Sequence, residues 1–175
     1  MNRRLPILST ARLQLLRLEH QDLDAVAAIH GDPETNRYNP DGAASFETCE
    51  RWLGTWTGDW EREGFGYFGV VTAEAPDHVI GVAGLKAATI RMPGEASFRA
   101  LNLYYRFRPT AWGRGYAAEA AGAALDHVRA LRPDLPVCAL IRADNAPSRR
   151  LAERLGLREN GEVDAAGRRV HLLTY

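Results

Sequence analysis

The stretch Phe107-Arg108-Pro109-Thr110-Ala111-Trp112-Gly113-Arg114-Gly115-Tyr116-Ala117-Ala118-Glu119-Ala120 constrains this chain more than any other. It reads as a strand stopped by a proline, a tight loop carrying two glycines, and an alanine-rich helix. Gly113 and Gly115 remove side chains where a backbone has to come close to something. The helix that follows aims unpaired N–H groups and the positive end of its dipole back at the loop. Such a geometry binds anions, phosphates above all. The same residues satisfy G-x-G-x-x-G/A through Gly113, Gly115 and Ala118, which brings a dinucleotide-binding unit into consideration.

The 175 residues are enough for one domain, spanning 1–175, with a substantial core. Lys and Arg number 22 and Asp and Glu number 22, so no net field favours nucleic acid or an anionic membrane as partner. Cys49 and Cys138 are isolated and read as buried free thiols of a reducing compartment. The five histidines show no ligand spacing, so no metal is expected. No signal peptide opens the chain and no apolar run approaches membrane length. These features together predict a soluble, cytoplasmic protein; a homodimer is compatible with the sequence, which does not settle the oligomeric state.

Ahead of the glycine loop, residues 10–18 read as a strand and a short helix begins near Asp22 and stops at Gly31 and Pro33. Residues 32–44 are loop-like. Ser45 caps a helix with the apolar stripe Cys49, Trp52, Leu53, Trp56 and Trp60, which core packing explains. Strands are predicted over 67–72 and 79–85, with Gly81 and Gly84 marking a close backbone approach or a bulge. A turn at 91–95 leads to a long strand over 97–107. Beyond the loop helix come a short apolar strand at 137–141, a helix over 145–155 opened by Asn145 and Pro147, and a closing antiparallel pair at 158–163 and 170–175.

This order decides between kinds of phosphate loop. A dinucleotide-binding unit puts its glycine loop after an early strand and follows it with several βα units. Here the loop comes two thirds of the way along and one βα step follows, too little for a dinucleotide crevice. A P-loop is excluded because no Gly-Lys-Ser/Thr follows the glycines.

Pro109 and then Trp112-Gly113-Arg114-Gly115-Tyr116-Ala117, following a strand, resemble the acetyl-CoA loop of the GNAT N-acetyltransferases. Asn145-Ala146-Pro147-Ser148 with Leu155-Gly156-Leu157 is similar to the N-x-x-S … LGF pattern of the RimJ/RimL-like branch, which acetylates ribosomal-protein N-termini. The opening Thr10-Ala11-Arg12-Leu13-Gln14-Leu15 and the strand with Ile80-Gly81 also fit, so the resemblance spans nearly the whole chain. Two places depart from the wider family. Trp112 stands first in the Q/R-x-x-G-x-G/A pattern, as is common in this branch. Ala152 occupies the place, four residues before the glycine of LGF, where many members carry a tyrosine acid.

The resemblance implies an α+β fold in α/β/α layers, with a mixed, mostly antiparallel sheet splayed between the fourth and fifth strands and helices on both faces. It implies acetyl-CoA as co-substrate and acetyl transfer to a primary amine, either a protein N-terminal α-amine or a small molecule. Acetyl transfer needs a deprotonated amine, a polarised carbonyl and a proton for the departing thiolate. The strand ending at Phe107 would supply a polarising N–H, and the pantetheine arm would enter the gap like an added strand. Amides from Gly113 through Arg114, Gly115, Tyr116 and Ala117 to Ala118, next to Trp112, would hold the diphosphate. Arg108 and Arg114 are candidates for outer phosphates and equally plain surface arginines. Asn145 would bond the pantetheine arm, cap the helix, or do both. Ser148 in the first helical turn can reach the sulfur, where the dipole favours a thiolate; its other reading is a cap.

For the acceptor, the loop around Arg37-Tyr38-Asn39 and the strand face with Arg99 or Tyr104 are the candidates, with Glu95 or Asp41 as candidate bases or solvated acids. A non-catalytic CoA-binding regulatory protein on the same fold is the competing reading, kept open by Ala152 and the lack of an evident base.

Overall fold

A computed structural model of the chain describes residues 4–91, 96–165 and 168–174. The strands are β1 (Leu8–Ser9), β2 (Leu13–Arg17), β3 (Tyr67–Thr72), β4 (Gly81–Ile90), β5 (Phe98–Phe107), β6 (Val137–Ile141), β7 (Arg158–Ala165) and β8 (Arg168–Thr174). The helices are α1 (Leu23–His30), α2 (Phe46–Glu63), α3 (Tyr116–Leu131) and α4 (Ala146–Arg154). All eight strands form one sheet in the order β1-β2-β3-β4-β5-β6-β8-β7. The turn expected at 91–95 falls largely outside the described residues.

Every neighbouring pair is antiparallel except β5 with β6. β5 pairs with β4 along its whole length, from Gly81 opposite Phe107 to Ile90 opposite Phe98. With β6 it pairs only at Leu101–Val137 and Asn102–Cys138, and beyond Asn102 the two strands part. This is the splay expected between the fourth and fifth strands; the two-residue β1 adds one to the count.

Both faces of the sheet are covered, because β2, β3 and β4 carry apolar residues on both. Leu13, Leu15, Phe68, Val70 and Leu85 pack under α3 with Ala120, Ala121, Ala124, Leu125 and Val128. Alanine over most of that helical face lets α3 lie close to the sheet. Leu16, Leu18, Val71 and Val82 pack on the other face against Leu23, Val26 and Ile29 of α1 and Cys49, Leu53 and Trp56 of α2.

The Ser45 side chain accepts from the Thr48 amide at 3.2 Å and starts α2 where the sequence placed its cap. Trp52 departs from the buried stripe: it is 37% exposed and its ring stands edge-on to His30 at 5.7 Å. Gly81 is a site of close packing and not of a bulge. A Cβ there would lie 2.3 Å from the Phe107 ring, so only glycine lets the last residue of β5 lie flat on β4. Cys49 and Cys138 are buried and unpaired. Among the described residues no helix is long and apolar enough to cross a membrane, and no three His, Cys, Asp or Glu side chains gather in metal-binding geometry.

Candidate active site

Where β5 leaves β6, the sheet opens a cleft of about 540 Å³. The Leu101 amide donates to the Pro136 carbonyl at 2.8 Å, so odd-numbered residues of β5 point their amides toward β6. Past the paired residues, Tyr105 and Phe107 therefore present N–H groups to the opening and not to a strand. An extended chain entering the cleft would find a ready edge.

The glycine loop closes one end. Gly113 has φ 74° and Gly115, the N-cap of α3, has φ 78°, the left-handed region that side chains disfavour. A Cβ on Gly113 would meet nothing within 4 Å. Backbone conformation thus demands the glycine there, and the space in front of the loop stays open to an incoming group. The first-turn amides of α3 have no intrahelical acceptors and face that space. The Trp112 indole Nε1 donates to the Phe107 carbonyl at 2.8 Å, which holds the loop against the end of β5.

A second clamp comes from the N-terminal hairpin. The Arg12 Nε and main-chain amide donate to Glu119 at 2.7 and 3.0 Å, and the Thr10 hydroxyl donates to the same carboxylate at 2.5 Å. Arg12 Nη1 also donates to the Arg114 carbonyl at 2.9 Å, and the guanidinium lies 4.8 Å from the Tyr116 ring centroid. Burial pushes the Glu119 carboxyl up, but the hydrogen bonds from Thr10 and Arg12 outweigh it and hold the group below the usual carboxylate range.

The first turn of α4 forms the facing wall. The Asn145 side chain accepts from the Ser148 amide at 3.3 Å, with Pro147 early in the helix where its missing N–H costs nothing. Ser148 is half-buried on the cleft wall. Tyr105 reaches across and donates its hydroxyl to the Ser148 carbonyl at 2.8 Å. Burial raises the Tyr105 phenol well above its ordinary value, so it remains a donor.

The other end of the cleft belongs to the loop after α1, with Glu34, Thr35, Arg37 and Tyr38, and to Arg106 of β5. The Arg37 guanidinium lies 4.8 Å from the Tyr38 ring centroid and 5.6 Å from that of Trp112, bridging this loop to the glycine loop. Arg106 donates to Oδ1 of Asn36, which is buried and itself donates to the carbonyls of His30 and Asp32 at 2.6 and 2.8 Å. Behind them His30 Nδ1 bonds the Val26 carbonyl at 2.9 Å. A carbonyl only accepts, so Nδ1 carries the proton and the neutral ring's Nε2 accepts from the Tyr104 hydroxyl at 3.0 Å. Burial, aided by the charge of Arg106, pushes His30 down to about 4.

Residues 12–158 match the family described as Acetyltransferase (GNAT) domain. The chain belongs to the GNAT acetyltransferase family. Among solved structures, a protein described as a GNAT-family acetyltransferase from Bordetella pertussis is 27% identical with a TM-score of 0.77, over 95% of this chain and 97% of that one. An acetyltransferase from Agrobacterium tumefaciens shares the fold at 23% identity and a TM-score of 0.80, over 98% and 94% of the two chains. RimL, a ribosomal α-N-protein acetyltransferase solved with coenzyme A, shares it at 18% identity and 0.70, over 97% and 96%. The GNAT assignment made from the sequence agrees with the family match, and GNAT acetyltransferases take their acetyl group from acetyl-CoA.

The GNAT fold gathers Phe107, Trp112, Gly113, Gly115, Tyr116, Ala117, Ala118, Asn145, Ser148 and Tyr38 around the cleft. Arg108 does not line it: its Nε donates to the Val79 carbonyl at 3.0 Å. Arg114 is exposed at the loop tip outside the lining. Asn39 turns to its own loop and donates to the Gly42 carbonyl at 2.7 Å. Arg99 lies near the far end of β5, ion-paired to Glu63 at 3.4 Å, on the stretch before Asn102 and away from the opening. Tyr104 packs behind the cleft on His30. Asp41 is exposed outside the lining, and Glu95 falls outside the described residues. Glu34, Tyr105 and Arg106 went unnoticed in the sequence. Nothing local marks a loop acid, and period-2 alternation alone does not tell which face of β5 meets a cleft.

Proposed function

We propose that this GNAT enzyme transfers the acetyl group of acetyl-CoA to a primary amine, a protein N-terminal α-amine or a small-molecule amine, by direct attack of the amine on the thioester. One observation carries the reading: a single cleft joins the free edge of β5, the open amides of the glycine loop and the first turn of α4. The first-turn amides of α3 hold the diphosphate. Edge amides of β5 at Tyr105 and Phe107 bind the pantetheine arm and polarise the thioester carbonyl. Asn145 orients the arm, and the Ser148 hydroxyl hydrogen-bonds the leaving sulfur, which departs as a thiolate stabilised by the positive end of α4 and takes its proton from solvent.

The amine enters from the side of Glu34 and Tyr38. An α-amine, with a pKa of roughly 7.7–8.0, needs far less help in losing its proton than a lysine near 10.4. Glu34, the one carboxylate on the described lining, stands on the side where that proton leaves. The cationic lining favours neutral or anionic acceptors over polyamines.

Ala152 is buried and apolar where many relatives carry a tyrosine acid, which is what supports a non-catalytic CoA-binding protein as the second reading. Thiol release from acetyl-CoA across a panel of peptides and small amines separates the two. Amine-dependent release supports transfer. Tight binding of acetyl-CoA with no release above background for every amine would leave only the binding role.

A further inference from the structure

We infer that the amine acceptor carries a carboxylate and that Arg106 receives it; this rests on the proposed acetyl transfer and names the acceptor's chemistry. Three observations lead there. Arg106 is half-buried on the cleft wall, on the acceptor side of the thioester path. It is held in place and not free to swing, by the buried Asn36 side chain and by Tyr104, whose ring centroid is 6.0 Å from the guanidinium. Among the described residues no carboxylate pairs with it, whereas Arg4, Arg12, Arg17, Arg62, Arg99, Arg132, Arg142 and Arg149 each pair with an acid.

A partly desolvated cation is retained only where something compensates it. Asn36 and Tyr104 engage one side of the guanidinium, and its remaining N–H donors form a planar fork that fits a carboxylate. His30 behind it is neutral, so it neither competes for nor repels the anion. Arg37 adds a second positive charge to the same end of the cleft, and Glu34 from the same loop offers the opposite charge to the acceptor's amine. Together these groups suit a molecule with an amine and a carboxylate a few bonds apart. A free amino acid has that chemistry, and so does a peptide whose second residue is acidic.

Two matched pairs distinguish the sources: alanine against alaninamide, and the peptide amides Ser-Asp-Ala against Ser-Asn-Ala, with rates corrected for the fraction of free amine. In the wild-type enzyme the carboxylate member of at least one pair is favoured by about tenfold or more in kcat/KM, and salt weakens the preference. In Arg106→Gln that preference falls to within about twofold, while calorimetry shows acetyl-CoA affinity changed by no more than about twofold. Arg106→Lys, which keeps the charge and loses the fork, retains part of the preference and serves as the test should the Gln variant not fold.

Indifference to the carboxylate in both pairs overturns the inference and leaves acetyl transfer standing. A preference that survives in both Arg106 variants removes Arg106 from the role, as does a loss of acetyl-CoA affinity with the preference intact. Should no amine be acetylated, the acetyl-transfer reading fails separately. Calorimetric titration of alanine and alaninamide into the CoA complex then decides the carboxylate question, equal affinities overturning it.

Discussion

Tyr105 donates its hydroxyl to the backbone carbonyl of Ser148 at 2.8 Å, so the strand on one side of the cleft carries the first turn of the helix on the other. That strut adds a polar tie to the apolar packing of Leu151 and Ala152 with Leu103 and Phe107, across a gap where the strands themselves have parted. Tyr105→Phe removes the donor and little volume. It should lower stability by about 1 kcal/mol and reduce kcat more than it raises the KM for acetyl-CoA. Thermal unfolding and steady-state kinetics measure both, and an unchanged kcat would show that α4 holds its place unaided.

Ser148→Ala should lower turnover by about tenfold or more while leaving acetyl-CoA affinity nearly unchanged, because the hydroxyl's hydrogen bond acts on the leaving thiolate and not on the bound thioester. Thiol-release assays paired with calorimetry read the two effects. An unaltered turnover would reduce Ser148 to a residue of the capped turn.

Gly115→Val should abolish acetyl-CoA binding. A β-branched residue at φ 78° is strained by about 1–3 kcal/mol, and relief of that strain turns the first amides of α3 away from the cleft. Retained affinity by calorimetry would mean that the diphosphate sits elsewhere.

Glu119→Gln should weaken acetyl-CoA binding by roughly three- to tenfold, through loosening of the loop that Arg12 and Thr10 tie down. The pH dependence follows from the depressed carboxyl. A folded pKa below the unfolded value, about 4.3, makes the clamp's contribution complete above that value and lost as pH falls through the folded one. The wild-type loop should therefore loosen in acid, and the Gln variant should show a flatter profile in the same titration.

His30 imposes its own dependence. Its folded pKa of about 4 lies below the unfolded value of about 6.5, so protons favour the unfolded chain between those limits. Its contribution to stability is complete above about pH 6.5 and declines by about 1.4 kcal/mol per unit as pH falls toward 4, roughly 3 kcal/mol in all. Denaturant unfolding of the wild type and His30→Gln across that range should differ by this slope. Parallel profiles would mean that His30 titrates as freely in the fold as outside it.

The glycine loop, the capped helix at Asn145 and the alanine face of α3 were legible in the sequence because each rests on contacts a few residues apart. A left-handed glycine, an N-cap and a helical stripe are local devices, and their spacing carries through to the fold. The parting of β5 from β6 was implied only by resemblance. Its physical cause lies in register: Leu101 and Asn102 find partners 36 residues away, and the next residues of each strand diverge.

What the sequence alone determined, then, is the glycine loop and the helix starts that line the cleft, because short-range backbone geometry suffices to build them. The end of the cleft at Arg106 was decided by tertiary structure. Arg106, Asn36, Tyr104 and His30 come from two distant stretches, 30–36 and 104–106, and form one group only after α1 packs on the sheet and its loop folds over the end of β5. Arg99 and Arg106, seven residues apart and so on opposite faces of one strand, differ in surroundings as well: one pairs with Glu63 away from the cleft and the other lines it. Strand alternation places a side chain on a face, but what that face meets is settled by contacts between residues distant in the chain.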